Sequence, residues 1–197
     1  ASSAGDYTPT TTAFEVPALT TTPVNGLGNA TFTVPVSADG VVEVPETILA
    51  FVNNMNAQGR AISMSAPETL TVTSADTATL DINDVTVVEG DGDQTLVQMT
   101  VTLSNEVSSP VTVAYSTADG TAIVGTTANY GDEDYDASNG NLNFIGSAGE
   151  QQTINVYVNG DNVVELDELL TVNLGAVIGQ FSATERDARR RTTAASY

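Results

Sequence analysis

The 197-residue chain contains no cysteine, histidine, lysine or tryptophan. Without cysteine it has no disulfide, no thiolate metal ligand and no cysteine nucleophile. Without histidine and lysine it has no ordinary triad base, no Schiff-base amine and no P-loop lysine. Positive charge is nearly missing too: Lys and Arg total 5 against 25 Asp and Glu, a formal net charge of −20. A field of that sign repels nucleic acid and anionic membranes and concentrates cations. No apolar run approaches the roughly 18 to 20 residues that cross a bilayer, so no membrane insertion is expected. The N-terminus lacks a charged-then-apolar leader, and a start of ASSAG reads as a mature end left by processing. The expected setting is extracellular or at a cell surface.

With a hydrophobic content of 41%, the chain can still build a core. Its apolar residues recur with a period of two. They do so at Phe32, Val34 and Val36, at Leu80 and Ile82, at Val97, Met99, Val101 and Leu103, at Val111, Val113 and Tyr115, and at Ile154, Val156 and Val158. Threonine and valine dominate these stretches, and turn-formers such as SADG, GDGD, TADG and DASNGN separate them. No segment has helical spacing. The pattern predicts an all-β fold of short antiparallel strands in an immunoglobulin-like sandwich.

One acidic loop is written twice. VSADGVVEVPE at 36–46 and VNGDNVVELDE at 158–168 align Asp39 with Asp161, Val41 and Val42 with Val163 and Val164, Glu43 with Glu165, and Glu46 with Glu168. Upstream, GDY at 5–7 answers EDY at 133–135. A repeat of a whole strand, loop and strand unit weighs more than any single motif. It also argues against the simplest alternative, that each acidic loop is only a solvated face. DYDASNG at 134–140 is not an EF-hand, because its glycine stands at the seventh position and the twelfth is Ile145. Paired carboxylates can hydrolyse glycosides, but here they lie in turn loops at short spacing, and no enzyme activity is expected.

The run LDINDVTVVEG, TLVQMTVTLS, PVTVAYSTADGTA, EDYDASNGNLNF and TINVYVNGDNVVELDELLTVNL resembles a Calx-beta domain, a calcium-binding β-sandwich. The resemblance covers about 84–175. It implies one such domain at 84–178, a partial one at 1–83 that closes with DTATLDIND, and an arginine-rich tail or donor segment at 179–197. It also implies Ca²⁺ as the cofactor, bound by loops gathered at one end of the sandwich. Carried over position by position, the ligands of the second domain are Glu89, Asp134, Asp161, Glu165 and Glu168, with the carbonyl of Val163. Those of the first are Asp6, Asp39, Glu43, Glu46, Asn83 and Asp84. The chain departs from the family where Pro45 stands opposite Asp167, and where Ala38-Asp39 and Gly160-Asp161 replace paired aspartates.

Half-domains leave strand edges and core open, and both are costly in water. The expected partner is a further copy of the chain, joined head-to-tail by strand donation into a filament or surface layer. A fragment of a long multi-repeat adhesin is the alternative. ERDARRR (Arg186, Arg189, Arg190 and Arg191) would dock on an acidic neighbour or remain a solvated tail, and Asn29 begins the N-x-S/T triplet.

Overall fold

Alternating burial in the long strands organises the structure. A computed structural model describes residues 33–51, 66–125, 133–179 and 190–195, the last of these as backbone alone. Its strands are β1 (Glu46–Ala50), β2 (Glu68–Val72), β3 (Leu80–Ile82), β4 (Thr86–Val88), β5 (Gln94–Leu103), β6 (Val111–Asp119), β7 (Val124–Gly125), β8 (Tyr135–Asp136), β9 (Asn139–Phe144), β10 (Gln151–Asn159), β11 (Glu168–Ile178) and β12 (Arg190–Ala195). The chain divides into two compact units, Ala1–Asp39 and Gly40–Tyr197. Of the first, residues 33–39 are described. They lie outside the named strands, and Val36 is exposed rather than half-buried as its alternation with Val34 predicts.

In the second unit, two five-stranded sheets form the sandwich that the two-residue period predicts, with orders β3-β5-β10-β8-β7 and β4-β12-β11-β6-β9. β5 and β10 pair antiparallel from Gln94↔Asn159 to Thr102↔Gln151, which turns Val97, Met99, Val101, Ile154, Val156 and Val158 to one face. β6 and β9 supply Val111, Val113, Leu142 and Phe144, and β11 supplies Leu170 and Val172, so both sheets share one core. Fully burying each such side chain is worth about 1.5–3 kcal/mol. β1 and β2 make a separate antiparallel ribbon, in register from Glu46↔Val72 to Ala50↔Glu68.

Two readings of domain organisation change. Leu80–Ile82, expected as the closing strand of a first domain, pairs instead with β5 of the sandwich, and Leu80 and Ile82 enter its core. The next strand, β4, lies in the opposite sheet. Asn83–Val85 is therefore a crossover between the sheets of one sandwich, where the sequence suggested the boundary of two domains. Val42 joins the same core. Its N–H donates to the Glu106 carbonyl at 3.0 Å, and its carbonyl accepts the Ser108 N–H at 3.0 Å.

The second change concerns 179–197, expected as an arginine-rich tail or a segment donated to a neighbour, and the strand that closes the sandwich. Arg190–Ala195 supplies it within the same chain. β12 runs antiparallel to β11 from Glu168↔Ala194 to Val172↔Arg190, and parallel to β4 from Thr193↔Thr86 to Ala195↔Val88. Flanked on both sides, it satisfies the backbone groups of a slot that side-chain hydrophobicity does not announce.

Candidate metal centre

Four segments deliver carboxylates to one end of the sandwich. Glu89 follows β4, where Gly90 turns the chain at φ +98° and the Thr95 hydroxyl donates to the Glu89 carbonyl at 2.8 Å. Asp134 precedes β8 and is pinned to residue 123 from both sides. Its N–H donates to the Ile123 carbonyl at 2.9 Å, and its Oδ2 accepts the Ile123 N–H at 2.6 Å. Asp161 follows β10, and its Oδ1 accepts the Val163 N–H at 2.6 Å, an Asx-type turn that folds the loop back on itself. Glu165 lies in that loop. Glu168 opens β11, whose entry is fixed where the Leu169 N–H donates to the Thr121 hydroxyl at 2.8 Å and the Leu169 carbonyl accepts the Ala122 N–H at 3.1 Å.

Close backbone approach brings the two walls together. A Cβ on Gly160 would fall onto the Gly90 carbonyl oxygen and lie 3.0 Å from the Asp93 carbonyl oxygen, so only glycine lets the end of β10 lie against the Glu89 loop. Asn159, buried beside it, ties three segments. Its Oδ1 accepts from Gln94 Nε2 at 2.9 Å, its Nδ2 donates to the Glu133 carbonyl at 3.3 Å, and its N–H donates to the Asp134 carbonyl at 2.8 Å. Gln94 also reaches Asp136 Oδ2 at 2.9 Å. Below, the fully buried Tyr135 donates its hydroxyl to Asp119 Oδ1 at 2.6 Å. Burial, then that bond and the Asp119 charge, hold the phenol well above its ordinary range.

Two overlapping triads result. Glu89, Asp161 and Glu165 place one carboxylate oxygen each within 4.8 Å of one another, and so do Asp134, Glu165 and Glu168, with Glu165 common to both. Glu89 and Asp134 are buried and the other three half-buried. The crowding has an electrostatic cost. Glu168 is pushed up to about 7 by burial, by its hydrogen bond with Asp134 and by repulsion from Asp134, Glu165 and Glu89. Burial also raises Glu89, with Asp161 and Asp134 adding repulsion, although the Asp161 N–H donates to it in opposition. The chain's only basic residues are arginines, none among the residues whose side chains are described. An all-oxygen, anionic, partly dehydrated cluster of this kind suits a hard divalent cation.

A family model for the Calx-beta domain matches residues 73–188, more than half of the chain. The chain belongs to the Calx-beta domain family. Calx-beta domains bind calcium, and the five carboxylates that the resemblance nominates for the second domain are the five that converge. Among solved structures, an apo-form Calx CBD1 domain matches at 21% identity and TM-score 0.50, over 62% of this chain and 99% of that one. A calcium binding domain CBD12 of CALX1.1 matches at 22% and 0.44, over 60% of this chain and 43% of that one. A Calx CBD2 domain matches at 15% and 0.40, over 60% and 85%. These likenesses concern the fold. A search of curated proteins finds no match.

The remaining nominated residues are dispersed. Val163 is exposed beside the cluster. Asn83 accepts the Thr100 N–H through Oδ1 at 2.5 Å, which fastens it to β5, and Asp84 is exposed and joins neither triad. Among the described residues Glu43 and Glu46 enter no such triad, and Asp39 falls in the other compact unit. Asp6, Asn29, Arg186 and Arg189 lie outside the described residues. The sequence reading overlooked the Gln94–Asn159 clamp. Its trace was a broken alternation, since Val158, Asn159 and Gly160 are buried in succession where a half-buried strand would turn every second residue outward.

Proposed function

We propose that this Calx-beta chain is a non-catalytic calcium-binding structural module, in which Ca²⁺ held by Glu89, Asp134, Asp161, Glu165 and Glu168 stabilises one end of the sandwich. The observation that carries this reading is the pair of triads sharing Glu165 within 4.8 Å. Such a cluster strains the metal-free fold and is relieved by cations. Ca²⁺ accepts 6–8 oxygens at about 2.3–2.6 Å, a demand that carboxylates converging from several loops help to meet. Each site would stabilise the folded state by RT ln(1 + [L]/Kd), about 2.7 kcal/mol at a hundredfold excess over Kd. Calcium should therefore raise Tm and chelator should lower it. Glu165→Gln, which removes the charge and one oxygen of the carboxylate common to both triads, should abolish most of the shift. A well-folded protein whose Tm ignores both calcium and chelator would sink the reading.

An extracellular setting agrees with the lysine-free, threonine-rich composition. We further propose a place in a filament or surface assembly, with a fragment of a multi-repeat adhesin as the alternative. The support is the strand slot. β12 is seated between β4 and β11, the position a strand donated by a neighbour would take. Deleting residues 180–197 should expose the slot, and added peptide of that sequence should refill it. A deleted protein that assembles like the full chain excludes strand donation through this segment.

A further inference from the structure

Among the described residues three polar side chains are buried, those of Glu89, Asp134 and Asn159. The first two are carboxylates of the metal centre. Asn159 is not, because its Oδ1 already accepts from Gln94 and its Nδ2 can only donate. Burying an amide costs free energy unless its bonds are made, so a buried amide beside the centre calls for an account of its own.

Its place in the fold supplies that account. Asn159 ends β10 opposite Gln94, and Gly160 and Asp161 follow it directly. Gln94 opens β5, whose next residue, Thr95, donates its hydroxyl to the Glu89 carbonyl at 2.8 Å. Asn159 also reaches the third wall, with its N–H on the Asp134 carbonyl at 2.8 Å. The segments that carry Glu89, Asp134 and Asp161 therefore meet at one pair of amides. That pair is wired in one sense only. The Asp136 carboxylate accepts, so Gln94 turns Nε2 toward it, at 2.9 Å, and gives the other hydrogen to Asn159 Oδ1, also at 2.9 Å. Asn159 Nδ2 is thereby aimed at the Glu133 carbonyl, at 3.3 Å. Neither amide can flip without setting like against like. Both are also neutral. The carboxylates of the centre repel one another and push the walls apart while no cation is bound, and an uncharged bracket opposes that push without adding to it.

We propose that, resting on the calcium reading above, Asn159 is the positioning residue of the metal centre and Gln94 its partner, a neutral bracket that holds the Asp134 and Asp161 segments at ligand spacing before a cation arrives. The cation then meets an arrangement already formed, and binding does not have to supply the ordering. Neither amide needs to touch the ion.

The test is calorimetric titration of calcium into the full chain, paired with thermal melts in chelator. Asn159→Ala should weaken calcium binding at least about tenfold, as the loss of a group that orients metal ligands does. Gln94→Ala, a change at an exposed position, should weaken it by at least about twofold, and the double variant should bind no more weakly than Asn159→Ala alone, because the two amides act as one unit. Val42→Ala separates positioning from plain loss of stability. Its bonds are to Glu106 and Ser108, so it should lower Tm in chelator and leave calcium affinity within about twofold. Asn159→Asp should also bind calcium more weakly, since its second oxygen would face the Glu133 carbonyl. Tighter binding by that variant would show that charge, not position, counts at this point, and would end the proposal. Equal weakening in Val42→Ala, or Asn159→Ala and Gln94→Ala that titrate as the unchanged chain does, overturns the proposal and leaves the calcium reading standing. An unchanged chain that does not titrate calcium overturns both. Where Asn159→Ala fails to fold, Gln94→Ala measured against Val42→Ala decides.

Discussion

β10 runs between two kinds of glutamate. At its start, Glu150 has its carboxylate met by the protein, with Oε1 accepting the Ile145 N–H and Oε2 the Gly146 N–H, both at 3.0 Å. Burial alone would raise that group, yet these bonds, with Gln152 and Ser147, hold it below its ordinary value. At its far end, Glu168 faces three other carboxylates and is driven up to about 7. A strand of this length, about 3.3 Å per residue, keeps the two ends apart, so their environments are set independently. One end is finished by backbone donors. The other is left for a cation.

The repeated loop follows the same division. Val42 and Val164 hold equivalent places in VVE, yet Val42 is 6% exposed and Val164 89%. Val42 lies against Val107 in a parallel bridge, and Val107 in turn donates its N–H to Gly146, at the Glu150 end. Two copies of one sequence unit thus serve opposite ends of one sandwich, the first as an apolar plug and the second as an acidic cradle.

The largest effect separating the two ends should come from pH in metal-free protein. Because Glu168 binds its proton more tightly folded than unfolded, the native state holds more protons between its ordinary value near 4.5 and about 7. Stability contributed by this group is therefore full at low pH and declines as pH rises through that window. Saturating calcium should cancel the decline, since the ions replace the protons. Denaturant melts across pH with and without chelator measure it. A metal-free protein that gains stability over that window through this end, a gain lost in Glu168→Gln, would break the contrast.

A middle-sized effect should distinguish the two valines. Val42→Ala removes buried methyls and leaves a cavity, at a cost of about 2 kcal/mol. Val164→Ala should stay within about 0.5 kcal/mol. Equal losses in urea melts would show that the repeat is structurally symmetric after all.

Legibility from sequence tracked the same physics. β5, β6 and β10 were plain because one buried face enforces a two-residue period over nine or ten residues. Four of the five converging acids were readable because the family resemblance and the repeat fell on the same positions, and Glu89 was readable from the resemblance alone. The closing strand was not, because RRTTAA is held by backbone pairing on both sides and has no apolar pattern. β7 and β8, two residues each, are too short for any period. The division at 83–84 misled because Asn83–Val85 joins strands on opposite sheets of one sandwich, and extended sequence looks alike within a domain and between domains.

The smallest expected effect lies at the finished end. Glu150→Gln keeps one acceptor oxygen and turns an amide NH₂ toward the other backbone donor, so one of the two N–H groups of Ile145 and Gly146 loses its partner. Hydrogen bonds to a charged group contribute about 1.5–3 kcal/mol, and losing the charge with one of the two bonds should cost about 1–2 kcal/mol. Because the folded value of Glu150 is depressed, its contribution is present at neutral pH and fades as pH falls below about 4.5. The variant should therefore differ from the unchanged chain at neutral pH and converge with it in acid. Calcium should shift both by the same increment, since Glu150 joins neither triad. Unequal calcium increments in paired thermal melts would mean that the two ends of β10 communicate, and the independence argued from their separation would be lost.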